Sequence, residues 1–255
     1  PEEWGLKGDE RLGVHAETLI RVDIDPDRLY QTATPALPIA CDARALIEPM
    51  LESLPQVGRT LPDHSDLRRR ATASMPHAHQ RHRDLIDGIW QHLPEAVVFG
   101  DPCEPVRAGL DCALPPAPRR WLTGAAGLGA AGHALPAAVG AKIADPRRPV
   151  IALMGDSAVT GSLSALATAV DTNAHVVLIV WNNTGFGEVR DAMTAAQIRV
   201  NGTDLNSVDL QPIARGLGAA YARVHGPDFF REALRTAIMR PGPTVLELKE
   251  DYWFG

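Results

Sequence analysis

The chain has 255 residues, of which 45% are hydrophobic and 22% charged, and its formal net charge is −6 at pH 7. This composition is typical of a soluble globular protein that can bury a core, and the negative charge gives no reason to expect nucleic acid or an anionic membrane as a partner. No apolar run reaches the roughly 20 residues that span a bilayer, and the opening "PEEWGLKGDE" is not a signal peptide.

The cysteines and the first residue bear on where the chain occurs and how complete it is. Cys41, Cys103 and Cys112 are too few and too scattered for a disulfide framework or a zinc site, so we expect reduced structural thiols in a cytoplasmic protein. The chain begins at Pro1 without an initiator methionine, and we expect it to be a piece of a longer protein.

The first part of the chain carries too few apolar positions to enclose a core. A buried strand is predicted at Thr18–Leu29, where an Asp-Pro pair acts as a breaker. A short strand at Leu37–Cys41 and a helix over Ala43–Leu54 follow. We interpret residues 1–56 as the tail of a domain, and the polar, proline-punctuated segment 57–76 as a linker.

From His77 onwards, helices alternate with strands that are apolar throughout. The strands are predicted at Ala96–Asp101, Arg120–Thr123, Val150–Met154, Val176–Trp181, and within "YARV" and "PTVLELK". The helices are predicted at Gln80–His92, Gly127–Ile143, between the two central strands, and within "LQPIARGLGAAY" and "DFFREALRTAIM". This alternation predicts a doubly wound α/β domain over residues 77–255, with a parallel sheet covered by helices on both faces.

Two neighbouring strands of this domain end in polar turns. Asp156 follows the first strand, and Asn182 and Asn183 follow the second. The helix between them has an apolar stripe, formed by Leu163, Leu166, Ala167 and Val170. A crossover of this length makes the strands parallel, so their carboxyl ends meet at the edge where open α/β sheets bind ligands.

The chemistry of these side chains predicts a Mg²⁺–diphosphate site. A carboxylate, an amide oxygen and nearby turn carbonyls form a hard oxygen site that suits Mg²⁺. The amides after Asp156 open a helix, and a helix N-terminus favours a phosphate. The alternative is that Asp156 only caps a helix and that Asn-Asn-Thr-Gly is an ordinary turn.

Gly155-Asp156-Ser157, followed after 24 residues by Asn182-Asn183, resembles the GDG…NN signature of thiamine diphosphate (ThDP) enzymes. The resemblance covers almost all of Ala96 to Lys249. "IRVDIDPDRLYQ…CDARALIEPML" is similar to the end of the central, Rossmann-like domain in the acetolactate synthase and 2-oxo acid decarboxylase group. "VVFGDPCEPVRAG" and "WNNTGFGEVRDAM" look most like its 5-guanidino-2-oxopentanoate decarboxylase branch.

The resemblance implies a set of site residues and an activity. Asp156, the Asn183 side chain and the Gly185 carbonyl would bind Mg²⁺, the amides of Ser157 and Ala158 would hold the diphosphate, and the Gly129 carbonyl would meet the aminopyrimidine. The residues implied to contact the cofactor are Gly129, Ala131, Gly155, Asp156, Ser157, Ala158, Asn183, Gly185 and Phe186. The implied activity is decarboxylation of a small 2-oxo acid, in which the cofactor stores the electrons.

The sequence departs from the family pattern in three ways. Ser157 replaces the second glycine of GDG, which is tolerable only if the backbone there is ordinary. Ala131 stands where the family usually has a large apolar residue beneath the cofactor. An alanine supports the cofactor less, unless Leu128 or a neighbour fills that space. The activating glutamate belongs to a pyrimidine-binding domain that this chain lacks; Glu104 and Glu188 do not match its position, and we expect surface or capping roles for both.

These departures leave several functions open. The chain is expected to need a pyrimidine-binding domain from the same or another chain and to form a homo-oligomer. Besides decarboxylation, acetolactate synthase-type carboligation is implied, and Ser157 and Ala131 favour a non-catalytic scaffold or regulatory subunit. Other features carry less weight: His77, His79 and His82 are expected on a solvated helix start, and His133 as a buried, hydrogen-bonded side chain.

Overall fold

The computed structural model describes residues 19–31, 34–55, 66, 69–70, 73–75, 77–125, 129–205 and 208–254. The chain divides into two units, Pro1–Ser65 and Asp66–Gly255. The second unit therefore begins within the segment predicted as a linker. Met75, in that same segment, is buried in the hydrophobic core.

The first unit contains two short parallel strands and one helix. These are β1 (Ile20–Asp23), β2 (Leu37–Ala40) and α1 (Ala43–Ser53), with a 3-10 turn at Pro26–Arg28. The prediction of a buried strand over Thr18–Leu29 is wrong in length and burial, because no residue of β1 is buried and Asp25 caps the 3-10 turn. Helix α1 is likewise without a buried residue.

The second unit is a six-stranded parallel sheet with helices on both faces. Its strands are β3 (Val97–Gly100), β4 (Trp121–Thr123), β5 (Val150–Gly155), β6 (Val176–Asn182), β7 (Ala220–Val224) and β8 (Thr244–Lys249). The spatial order is β4-β3-β5-β6-β8-β7, and every neighbouring pair is parallel. The predicted doubly wound α/β fold is confirmed.

The helices of this unit follow the predicted alternation. They are α2 (His77–Gln80), α3 (Arg83–His92), α4 (Glu104–Cys112), α5 (Ala134–Ala144), α6 (Asp156–Thr160), α7 (Leu163–Asp171), α8 (Gly187–Ala195), α9 (Leu210–Gly216), α10 (Pro227–Met239) and α11 (Glu250–Phe254). Helix α5 begins later than predicted, because Gly129 and Gly132 precede it with positive φ. Within the described residues, no helix is long and apolar enough to cross a membrane.

Strand β5 shows how the sheet builds two cores. Ile151 and Leu153 face one core, together with residues of α3, α4 and α10. Alternate residues of the same strand, such as Ala152 and Met154, face the other core with α5, α7 and α9. Side chains alternate between the two faces of a strand, so an apolar run serves both layers. The three cysteines are free thiols, and burial raises the pKa of Cys112 to about 11.

His82 lies inside an aromatic cluster at the end of the first core. Its ring packs edge-on against Trp181 and Phe254, with centroids 4.8 and 5.3 Å apart, and the residue is 4% exposed. Burial, with the nearby charges of Arg81 and His79, lowers the pKa of His82 to about 4. The expectation of a solvated His82 is therefore wrong. No group of three His, Cys, Asp or Glu side chains that could hold a metal occurs among the described residues.

We predict that folding stability depends on pH through His82. Its pKa is 6.5 when exposed and about 4 when folded, so the stabilisation is complete above pH 6.5 and is lost as pH falls towards 4. The loss is about 3 kcal/mol, since one pKa unit corresponds to about 1.4 kcal/mol. Urea unfolding of His82→Phe between pH 7 and 4 should show a shallower fall, and the exposed His77→Gln should match the unsubstituted chain. Equal pH slopes for His82→Phe and the unsubstituted chain would contradict the assignment.

Candidate functional site

The two polar turns singled out in the sequence lie side by side. Strands β5 and β6 pair in parallel along six residues, with Gly155 opposite Trp181 at the last pair. Asp156 therefore leaves the sheet next to Asn182, and Asn183 follows directly. The expected meeting of these side chains at one edge is confirmed by the strand register.

The turn that follows β6 donates a hydrogen bond to one of the two carboxylate oxygens of Asp156. Its Oδ2 accepts a hydrogen bond from the Gly185 N–H at 3.0 Å. Its Oδ1 is buried and has no hydrogen-bond partner among the described residues. Burial raises the pKa of Asp156, although the nearby backbone N–H groups of Ser157 and Gly185 oppose the shift. A buried carboxylate oxygen without a partner is costly unless a cation or a donor satisfies it.

Asn183 contacts a second carboxylate on the opposite side. Its Nδ2 donates to Glu104 Oε1 at 3.1 Å, while its Oδ1 accepts no hydrogen bond from the described residues. Glu104 starts helix α4, just after β3, and its side chain is 18% exposed. Burial, and then the charge of Glu250, raise the pKa of Glu104 to about 7. The expectation of a surface role for Glu104 is wrong, because its carboxylate is turned inward.

The turn between β6 and α8 requires a glycine at position 185. Gly185 has a φ of +133°, and a Cβ atom there would lie 2.2 Å from the Thr203 carbonyl oxygen. The Phe186 N–H donates to the same oxygen at 2.9 Å, and Gly185 forms a bridge with Asp204. Thr184 also has a positive φ, of 60°. The turn is therefore fixed against residues 203–204, while the ligand role of the Gly185 carbonyl stays a prediction.

A buried hydrogen-bond network supports this turn from behind. Asn182 Oδ1 accepts from the Thr184 N–H at 3.1 Å, and Asn182 Nδ2 donates to Glu247 Oε1 at 2.6 Å. The other oxygen of Glu247 accepts from Tyr221 Oη and from Arg223 Nε. Burial opposes ionisation, but these donors outweigh it and lower the pKa of Glu247. Asn182 thus positions the turn, whereas Asn183 faces the open side.

The sequence interpretation missed Glu247, although one signal was available. It is an acid in the middle of the apolar strand "TVLELK" and is 2% exposed. A charge at such a position is retained only where it is paired and hydrogen-bonded. Its partners could not be named, because Asn182 lies 65 residues earlier in the chain.

Helix α6 begins directly at Asp156, with the backbone of Gly155 extended before it. Ser157 is not among the described residues with positive φ, so serine causes no backbone strain at this position. This meets the condition under which the departure from GDG is tolerable. The Ala158 carbonyl accepts from the Ser162 hydroxyl at 3.2 Å. The diphosphate contacts of Ser157 and Ala158 stay predictions.

The loop that precedes α5 reaches the same edge of the sheet. Asp101, which follows β3 and is fully buried, accepts from the N–H groups of Gly132, His133 and Ala134 at 2.6, 3.1 and 2.9 Å. His133 Nδ1 lies 2.6 Å from Asp101 Oδ1, and the ring is one third exposed, less buried than expected. Sequence analysis assigned Asp101 only as the end of a strand. In the structure, it anchors the loop and caps the helix.

The exposed part of this loop carries two of the implied cofactor contacts. Gly129 has a φ of +66°, and no atom of the described residues lies within 4 Å of a Cβ atom built on it. Ala131 is exposed, so no described side chain covers it. Leu128 lies outside the described residues. Phe186 is 43% exposed and lies in the turn after β6, directly before α8.

We predict that Glu247→Leu lowers the free energy of unfolding by about 1–3 kcal/mol, because the substitution leaves three hydrogen-bond donors, one of them buried, without their acceptor. Those donors are the side chains of Asn182, Tyr221 and Arg223. Urea unfolding measures the loss, and Glu232→Leu on the exposed side of α10 is the matched control. The control should change stability by no more than about 0.5 kcal/mol. An equal effect of both substitutions would show that the network does not stabilise the turn.

Comparisons with known proteins find a family model and similar enzymes for this chain. The model of the C-terminal TPP binding domain of thiamine pyrophosphate enzymes matches residues 110–248. The probable 2-ketoarginine decarboxylase AruI of Pseudomonas aeruginosa is 32% identical over 246 residues, which are 94% of this chain and 44% of that protein. Acetolactate synthase isozyme 1 large subunit of Escherichia coli is 28% identical over 242 residues, which are 91% of this chain and 42% of that protein.

Solved structures agree with the fold. A thiamine diphosphate-dependent 4-hydroxybenzoylformate decarboxylase of Rhodococcus jostii RHA1 matches with a TM-score of 0.69 at 22% identity. The match covers 91% of this chain and 44% of that structure's chain. The chain thus spans less than half the length of these two relatives and of this solved structure.

Proposed function

Because this chain belongs to the thiamine pyrophosphate enzyme family, we propose that it is the diphosphate- and Mg²⁺-binding part of a ThDP-dependent 2-oxo acid decarboxylase. The observation that carries the metal assignment is the buried Oδ1 of Asp156 at the carboxyl edge of the sheet, which has no hydrogen-bond partner among the described residues. Mg²⁺ prefers oxygen ligands and satisfies such an atom. The Oδ1 of Asn183, which accepts no hydrogen bond within the described ranges, would supply a second oxygen in the following turn.

The residues at this edge fit the group that the family binds. Asp156, Asn183 and the Gly185 carbonyl would hold the metal, and the amides of Ser157 and Ala158 would hold the diphosphate. The remaining cofactor contacts would come from Gly129, Ala131, Gly155 and Phe186. When bound, ThDP supplies the electron sink for decarboxylation. The chain's own residues bind and orient it, since Asp101 and Glu247 fix the two loops on which the contacts lie.

Activity of the whole protein requires more than these 255 residues. We propose that the activating glutamate comes from a pyrimidine-binding domain of the same or another chain, in a cytoplasmic homo-oligomer. The need for a further domain is supported by the length of the relatives, of which the chain covers 44% and 42%. Neither Glu104 nor Glu188 takes that role, because they contact Asn183 and Arg107 respectively.

We predict that Mg²⁺ and ThDP together stabilise the chain and that Asp156→Ala removes the effect. A ligand at 100 times its Kd raises the free energy of unfolding by about 2.7 kcal/mol. Chemical unfolding with Mg²⁺ alone, ThDP alone and both together measures it. Asp171→Asn, an exposed acid at the end of α7, is the matched control and should keep the full effect. Full ligand stabilisation of Asp156→Ala would refute the metal assignment.

The reaction type has a second candidate, carboligation. The 2-ketoarginine decarboxylase relative covers 94% of the chain at 32% identity, which favours decarboxylation. Several acetolactate synthases also match, one of them at 27% identity over 96% of the chain. Both activities begin by releasing CO₂ from a 2-oxo acid, so the products decide between them.

We predict that the chain, assembled with a pyrimidine-binding domain, converts 5-guanidino-2-oxopentanoate into one CO₂ and one aldehyde. Carbon-13 NMR of the products, with pyruvate as the alternative substrate, checks this. Carboligation would instead give one CO₂ and one acetolactate from two pyruvates, with little free aldehyde. Loss of both products in Asp156→Ala is the control. Cofactor binding without either product would support the non-catalytic alternative.

A further inference from the structure

Glu104 is an acid at the candidate metal site that the sequence pattern did not assign to it. It stands at the beginning of α4, one strand away from β5, and its carboxylate accepts from Asn183 Nδ2. Its second oxygen lies 3.7 Å from His82 Nε2, and the His82 ring packs on Trp181. One oxygen of the carboxylate therefore lies near the buried His82 ring, while the other accepts from the turn after β6.

The hydrogen bond decides which end of the Asn183 amide faces the open site. An amide has one end that donates and one that accepts, and only the oxygen binds a cation. A carboxylate accepts hydrogen bonds and therefore attracts the NH₂ end of Asn183. Resting on the proposed function, we propose that Glu104 is a positioning residue that orients the Asn183 amide so that its oxygen is presented to the cation.

Gly187 supports this proposal independently. A Cβ atom at position 187 would lie 2.3 Å from Asn183 Nδ2 and 2.8 Å from Glu104 Oε1. Gly187 is not among the glycines with positive φ, so its backbone does not require glycine. Space does require it, because any larger residue would displace one of the two partners. The buried start of α8 thus leaves room for this hydrogen bond.

Glu188 provides a contrast next to it in the chain. It lies in the first turn of α8, its side chain is about one third exposed, and its carboxylate lies 2.5 Å from Arg107 Nε. It has no hydrogen bond to Asn183 among the described contacts, so it brings negative charge to the same region without orienting the amide. Glu188→Gln therefore separates an effect of nearby charge from an effect of the hydrogen bond.

The test measures the Mg²⁺ dependence of ThDP binding to the 255-residue chain by titration calorimetry. Glu104→Met removes the acceptor, and we expect about 10- to 100-fold weaker Mg²⁺ affinity, the usual cost of losing a residue behind a metal ligand. Glu104→Gln keeps an acceptor oxygen, and its Mg²⁺ affinity should stay within about 3-fold of that of the unsubstituted chain, a smaller change than that range. Glu188→Gln should leave the affinity unchanged.

Two further measurements separate orientation from a general structural defect. At saturating Mg²⁺, ThDP affinity of Glu104→Met should return to that of the unsubstituted chain, since only the metal step is impaired. Gly187→Ala should weaken Mg²⁺ binding while leaving Glu104 chemically intact, and it decides the question if Glu104→Met fails to fold. Gly216→Ala, where nothing lies within 4 Å of the new Cβ atom, is its control.

The outcomes distinguish this proposal from the proposed function. Mg²⁺-dependent binding that is lost in Asp156→Ala but unchanged in Glu104→Met and Gly187→Ala would overturn the positioning role alone. An equal loss in Glu104→Gln and Glu104→Met would also overturn it, because charge rather than the hydrogen bond would then matter. No Mg²⁺-dependent binding by the unsubstituted chain would overturn the proposed function and the positioning role together.

Discussion

The parallel register of β5 and β6 is the constraint on which the candidate site depends. Because Gly155 lies opposite Trp181, the two strands end at the same level of the sheet. The Gly185 N–H in the turn after β6 can therefore donate a hydrogen bond to the Asp156 carboxylate. A shift of one residue would turn each side chain to the other face of the sheet. The apolar residues of β5 and β6 fill two separate cores, so the packing on both faces prevents such a shift.

Carboxylates on three strands or adjoining helices perform different tasks at this edge. Asp101 and Glu247 are fully satisfied by hydrogen-bond donors and hold the backbone of two loops. Asp156 retains an oxygen that has no partner in the part of the chain that the structure describes. The protein thus places its satisfied acids behind the loops and its unsatisfied acid at the opening. This division is expected of a site that is completed by a ligand, since structural acids have their partners within the fold.

The sequence predicted the parts of the site that local rules determine. Asp156 and Asn183 could be placed together, because a crossover of known length joins two apolar strands. The contact between Glu104 and Asn183 could not, since 79 residues separate them and the contact depends on strand order. Helix α5 was predicted too early for a similar reason. The alanine-rich sequence before it is typical of a helix. In the structure, Asp101, which follows β3, accepts a hydrogen bond from the Ala134 N–H, and the helix begins at that residue.

The loop before α5 is anchored at one end and open at the other. Asp101 holds its backbone at Gly132, while Ala131 remains exposed. A Cβ atom built on Gly129 would have no neighbour within 4 Å among the described residues. A larger side chain at position 131 would change the outline of the opening without entering either core. Such a loop can diverge in evolution at little cost to folding, because its anchoring residues and its variable residues are different. Substitutions at these exposed positions should therefore leave the frame beneath unchanged.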